Sequence, residues 1–242
     1  MKKAIIIIAI VAAVAVICTV LVLKGWPGIL IGSRNLETKE YAFTNFTRVE
    51  ISSAFEFEIK QSSSYGINVT ANDNVIDYIQ VSQDGQTLKI RLETVPSLRF
   101  ATLRALVTMP QLRELTVSGA SRGTVSDFSS TESLNMTVSG ASRVTGGITA
   151  GDVKFDVSGA STIQFEGSAN DMIAVVSGAS RINLDDFTIN NANVNISGAS
   201  TGTVNLNGRL DANISGASTL LYVGEPIMGT INISGASTLR KK

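Results

Sequence analysis

The sequence predicts an all-β fold: a right-handed single-stranded parallel β-helix (β-solenoid) standing behind an N-terminal transmembrane helix. Three observations carry this reading. The string Ser-Gly-Ala-Ser occurs seven times, at spacings of 21, 19, 19, 20, 18 and 19 residues. Around the copies, apolar and polar residues alternate with the period of a strand that has one buried face. An uncharged, almost wholly apolar run, Ala4 to Leu23, lies between Lys2-Lys3 and Lys24.

From the N-terminus, residues 1–3 form a short cytoplasmic end and residues 4–23 the anchor. Twenty helical residues span roughly 30 Å, the thickness of a bilayer's hydrocarbon core. Trp26 follows where an amphipathic ring sits among headgroups. A cleavable signal fits less well. Ala13-Val14-Ala15 resembles a cleavage site only loosely, and cutting there leaves Val16 to Leu23 as an apolar stub. A lipoprotein signal needs a small residue before the modified cysteine, and Ile17 precedes Cys18. The N-terminal amine, Lys2 and Lys3 favour an inside N-terminus, with Lys24 and Arg34 opposing. The expected location is therefore the cell membrane, single-pass, with the C-terminal domain outside the cytoplasm. Residues 24–39, rich in glycine and polar side chains, read as a linker.

Composition narrows the chemistry. Lysine plus arginine equals aspartate plus glutamate at 20 each, which argues against a nucleic-acid partner. The single cysteine, Cys18, lies in the apolar run, so no disulfide is expected in the domain. Histidine is absent, removing the commonest general base and zinc ligand. Neither metal nor cofactor is expected.

Residues 40–242 form the domain. Its first part keeps strand alternation without the motif: Val49, Ile51, Phe55, Phe57 and Ile59; Ile67 and Val69; Leu88, Ile90 and Leu92. Asp84-Gly85 marks a hairpin or turn between Val81 and Leu88. Pro110, Leu112 and Leu115 lead into the first motif. This stretch is expected to continue into the solenoid and cap its N-terminal end.

Regular repeats occupy residues 116–239. Each motif is a corner between two short strands, at Ser118-Gly119, Ser139-Gly140, Ser158-Gly159, Ser177-Gly178, Ser197-Gly198, Ser215-Gly216 and Ser234-Gly235. Glycine permits a turn that a Cβ obstructs, alanine is small enough to point inward, and the serines can satisfy turn groups or ladder with their neighbours. One nineteen-residue turn cannot bury its own apolar face, so windings must stack. At about 4.8 Å per winding, six intervals make a rod roughly 29 Å long, wound right-handed. Thr137, Asp156, Val175, Asn195, Asn213 and Asn232 form an outward column, in which the asparagines could ladder. Their Asn-x-Ser sequons read as by-products of the strand pattern.

The segments Phe46-Thr47-Arg48-Val49-Glu50, Phe55-Glu56-Phe57-Glu58-Ile59-Lys60-Gln61, Asp84-Gly85-Gln86-Thr87-Leu88-Lys89-Ile90 and Met109-Pro110-Gln111-Leu112 carry a resemblance. Together with the recurrent Ser-Gly-Ala-Ser, they are similar to the putative auto-transporter adhesin family, head GIN domain, over residues 40 to 242. The resemblance implies an exported or surface-attached single-stranded β-helix without an assigned ligand. Relatives are commonly lipoproteins or carry cleaved signals; this chain departs from them in keeping its apolar run.

No catalytic constellation stands out. Asp185-Asp186, with Glu166 or Asp171, raises a calcium site or paired acid catalysts, but adjacent aspartates on a strand face opposite ways and read as a polar loop. The motif serines have no histidine to activate them. Arg122, Arg143 and Arg181, each directly after a motif, line an edge that could attract anionic glycans; the simpler reading is charge that keeps a sheet from aggregating. The expected function is a structural or adhesive surface module, not an enzyme. Its partners would be the lipid bilayer and a cell-surface polysaccharide or protein. A carbohydrate-active β-helix enzyme and an envelope-state sensor are the alternatives. The last repeat ends at Leu239 with only Arg240-Lys241-Lys242 behind it, which suggests end-to-end self-association through an open coil.

Overall fold

Two stacks of parallel strands, joined winding by winding at the Ser-Gly-Ala-Ser corners, make up the solenoid. The computed structural model describes residues 29–93 and 97–242. Before the corners, Thr87–Leu92, Arg48–Ile51, Glu114–Val117, Leu134–Val138 and Val153–Val157 stack in parallel. The C-terminal half of Thr162–Val176, the C-terminal half of Arg181–Ile196, Arg209–Ile214 and Ile227–Ile233 continue the stack. After the corners, Leu103–Met109, Glu56–Gln61, Arg122–Ser129 and Arg143–Thr149 stack in the same way. The N-terminal halves of the two long strands, Thr201–Leu206, Thr219–Val223 and Thr238–Lys241 complete that side. The all-β solenoid expected from the period is what forms.

The alternating residues fill its interior. Leu134, Met136, Val138, Val153, Phe155, Val157, Ile182, Leu184, Val194 and Ile196 are all buried. Phe155 stacks on Phe165 at 6.0 Å and meets Phe187 edge-on at 6.3 Å, so rings from different sides of the winding close the middle of the core. Inward positions recur every second residue except at bends. From Leu184 to Phe187, and again from Ile189 to Ala192, buried residues are three apart. Each such winding therefore bends at the motif and at two further places.

The corners stack backbone on backbone. Ala141, Ala160, Ala179, Ala199, Ala217 and Ala236 each donate an N–H to the glycine carbonyl of the winding below, at 2.7–2.8 Å. The corner glycines have φ between +70° and +80°. A Cβ on Gly159 would lie 2.4 Å from the Gly140 carbonyl oxygen, so both torsion and space require glycine.

The alanine expectation is corrected. Ala120 and its equivalents face solvent, while the second serine of each of the first six motifs is buried: Ser121, Ser142, Ser161, Ser180, Ser200 and Ser218 are at most 2% exposed, and Ser237 of the last motif is partly buried. From Ser161 upward their hydroxyls form a ladder, each accepting the backbone N–H of the serine below, as Ser180 does from Ser161 at 3.4 Å and Ser200 from Ser180 at 3.3 Å. Ser121 Oγ donates to the Ser118 carbonyl within its own turn, and Ser142 Oγ has no partner among the described residues. Ser200 and Ser218 also donate to the carbonyls of Gly178 and Gly198. A hydroxyl fits here because the sharp turn leaves backbone donors pointing into a dry interior.

The N-terminal part joins the stack out of sequence order. Arg48–Ile51 and Glu56–Gln61 form a winding inserted between residues 87–109 and residues 114–129. Its corner, Ser52-Ser53-Ala54-Phe55, holds Ser53 and Ala54 at φ +72° and +64°, and Phe55 takes the inward place of the buried serines. The cap beyond is antiparallel. Leu36–Glu40 pairs with Gly66–Asn72, which pairs with Leu103–Met109, and Ile79–Asp84 forms the expected hairpin with Thr87–Leu92 around Gly85. Much of the expected linker is thus sheet: Leu30–Ile31 pairs with Leu98–Arg99, and Leu36–Glu40 with the cap. Its polar residues bond to cap strands, which composition alone does not reveal. Among the described residues no helix is long and apolar enough to cross a membrane. The expected span, residues 4–23, lies outside them.

Candidate functional site

The windings bring side chains of the same register position into columns along the outside. Ser133, Asp152, Asp171, Asn191 and Arg209 form one column, just before the first inward residue of each winding. Asn135, Lys154, Ile173, Asn193 and Asp211 form the next outward column. Between them runs an open groove of about 490 Å³ whose floor includes Val153, Met172 and Ala192. Ile173, half-exposed, stands in it.

Hydrogen bonds between windings fix the groove's polar wall. Asp152 Oδ1 accepts from the Asp171 N–H at 3.2 Å and from Asn170 Nδ2 at 3.3 Å. Asp171 Oδ1 accepts from Asn191 Nδ2 at 2.8 Å, and Asn191 Oδ1 from the Arg209 N–H at 2.8 Å. Asn190 donates to Asn170 alongside. Each aspartate thus spends one oxygen on the ladder. The Oδ2 atoms of Asp152 and Asp171 have no hydrogen-bond partner among the described residues. Fixed carboxylate oxygens at winding intervals suit a ligand that presents hydroxyls or amides in series. At the far end Arg209 pairs Asp211 in a two-pronged contact at 2.8 and 2.9 Å, and the Thr230 N–H donates to the same carboxylate. Arg209 first, then Thr230, holds the Asp211 carboxyl below its ordinary pKa, and Asp211 raises that of Arg209.

The residues singled out in the sequence fall elsewhere. The motif glycines are exposed along one ridge, and the first serines are partly buried beside them in all but the last winding. Arg122 and Arg143 are register neighbours, with Glu56 below and Thr162 then Arg181 above. They lie on the side after the corner, away from the groove. Asn195, Asn213 and Asn232 do stand in register, but Asn195 donates to Asn193 within its own strand at 3.4 Å; the asparagine ladder lies at Asn170 and Asn190 instead. Asp185 turns to Lys242 at 2.6 Å, and Asp186 is exposed on a bulge. Among the described residues no acidic cluster is grouped to hold a metal. Asp152, Lys154, Asn191 and Asn193 escaped the sequence reading because their columns change residue type from winding to winding. The only available signal was an Asp or Asn directly preceding the first apolar residue of three windings.

A parallel solenoid with an antiparallel cap and a ladder-lined outer groove belongs to the class of solenoid repeat modules rather than closed-pocket domains. Residues 45–226 match the family described as Putative auto-transporter adhesin, head GIN domain, and the chain belongs to that family. No curated protein matches it. Among solved structures, a putative adhesin from Bacteroides fragilis superposes with a TM-score of 0.83 at 20% identity, covering 88% of this chain and all of that one. A putative lipid binding protein from Parabacteroides distasonis gives 0.69 at 22% identity, over 88% and 99% of the two chains. A putative adhesin from Parabacteroides merdae gives 0.69 at 16%, over 89% and 99%. These likenesses concern the fold.

Proposed function

We propose that the chain is a membrane-anchored, extracytoplasmic adhesive module that binds an extended polysaccharide along the groove of Asp152, Asp171 and Asn191, with residues 4–23 as its span. The observation that carries this is the hydrogen-bonded wall. Its carboxylate oxygens are pre-set at the rise of the windings, about 4.8 Å, beside an apolar strip centred on Ile173. A sugar polymer offers hydroxyls in series and C–H faces for the strip. Preorganised acceptors lower the ordering cost of binding.

The same geometry favours a binding module over a carbohydrate-active enzyme. Glycoside hydrolysis uses two carboxylates flanking the scissile bond. Asp152 and Asp171 stand on one wall, and Asp211 across the groove is engaged by Arg209.

The test is binding of the full chain, in detergent, to an array of bacterial and host glycans. Asp152→Asn/Asp171→Asn should lose captured glycans at least tenfold, while Arg122→Ser/Arg143→Ser on the opposite flank should leave them unchanged. Equal losses in both variants, or none in either, would refute the groove. Retention of the chain in membranes after alkaline extraction, with the domain cleaved by protease added outside whole cells, tests the anchor.

A further inference from the structure

The capped end carries an apolar surface that the adhesive reading leaves unused. Phe100 is 86% exposed, Ile31 57%, Leu36 51% and Ile29 42%. Phe100 also has φ +53°, a left-handed conformation that aromatic residues seldom adopt. A strained backbone holding a large ring in water points to a partner for that ring.

Ile31 and Phe100 are neighbours. Leu30–Ile31 pairs in parallel with Leu98–Arg99, so Ile31 lies opposite Arg99, and the Gly32 N–H donates to the Arg99 carbonyl at 3.0 Å. The segment is pinned to the cap. Asn74 Nδ2 donates to the Ile31 carbonyl at 2.8 Å, and Asn72 Nδ2 to that of Ser33 at 2.6 Å, while Asn72 Oδ1 accepts from the Thr102 N–H at 2.7 Å. Asn72 is itself buried. Ile29 and Ile31 are therefore presented by the domain.

Their distance from the bilayer is bounded. Five residues, 24–28, separate Leu23 from Ile29, and the six Cα-to-Cα steps between them reach about 20 Å when fully extended. Resting on the anchor proposed above, we infer that this end of the solenoid docks on the bilayer surface. Phe100, Ile29 and Ile31 lie in the interfacial layer and Arg99 sits among the headgroup phosphates. Aromatic and aliphatic side chains flanked by arginine are the composition that interface favours. The anchor then works as one leg of a two-point attachment that sets the rod's angle to the membrane.

The test uses the full chain in vesicles of phosphatidylcholine and phosphatidylglycerol with brominated acyl chains. The chain has a single tryptophan, Trp26, which reports the anchor. A Trp26→Phe/Phe100→Trp variant reports the docking surface, and the exposed position tolerates the larger ring. Docking predicts that the position-100 reporter is blue-shifted and loses most of its emission to brominated lipid. If Trp26 is quenched while the position-100 reporter stays unquenched and water-exposed, the anchor stands and docking is overturned. If neither is quenched, both readings fall. A blue shift that persists in detergent, vanishes on dilution and is insensitive to bromine would assign the surface to a second copy and also overturn docking.

Discussion

Alanine at the corner glycines should cost stability in proportion to what lies beneath each one. Gly85, Gly119 and Gly178 all have positive φ, at +56°, +77° and +77°. Alanine in that region costs about 1 kcal/mol whatever surrounds it. At Gly85 a Cβ meets nothing within 4 Å, so about 1 kcal/mol is the whole effect expected there. At Gly119 it meets the Ser53 nitrogen at 3.0 Å, a contact relieved by a few tenths of an ångström; about 2 kcal/mol is expected. At Gly178 it would sit 2.4 Å from the Gly159 carbonyl oxygen. Relief there must separate two windings and stretch the 2.8 Å bond from the Ala179 N–H to that oxygen. Overpacking adds about 2 kcal/mol and the weakened bond about 1, for about 4 in all with the torsion. Urea unfolding of the three variants, followed by circular dichroism, supplies the ranking. Because stacked repeats can unfold piecemeal, hydrogen exchange at Ala179 should locate the loss. Equal destabilisation at Gly85 and Gly178 would show that only the torsion matters and that the stacked corners do not bear on one another.

Two further outcomes follow from the core and the groove. Phe155→Ala, which leaves Phe165 and Phe187 facing a void, should destabilise the domain by about 3–5 kcal/mol in urea, and Phe155→Leu by clearly less. The lowered Asp211 carboxyl stabilises the fold above the ordinary carboxylate pKa, and that contribution is lost as pH falls through its lowered folded-state value. The wild type should therefore be more stable than Asp211→Asn near neutrality and converge with it in acid. A gap that stays constant down to pH 3 would contradict the assignment.

The repeated half of the fold was legible because one constraint recurs there. Every winding must turn where Gly-Ala stacks on Gly-Ala, and no other residue fits Gly140 or Gly159. Strand alternation then told inside from outside, and the buried set agrees with it. At the corner itself the expected roles of the serines hold, but the reading failed for Ala120, because period two does not hold through a turn and the size of alanine was no guide to its direction. The place of residues 48–61 was illegible for a different reason. Their alternation identifies strands but not neighbours, and Ser53-Ala54 fills a corner without its glycine. The groove was hidden by the variety of its columns. Asp152, Asp171 and Asn191 act together only once the windings are laid over one another.

The insertion of residues 48–61 between two stretches adjacent in sequence bears on the order in which the protein can be assembled. As the chain emerges from its N-terminus, Arg48–Ile51 waits for both Thr87–Leu92 and Glu114–Val117, whereas each later coil finds its neighbour some twenty residues behind. The capped end therefore closes only after more than a hundred residues are available, and growth beyond it is a local, repetitive addition. Excising residues 158–176 would then yield a shorter rod, while losing 48–61 would leave two pairs of strands without the strands that join them.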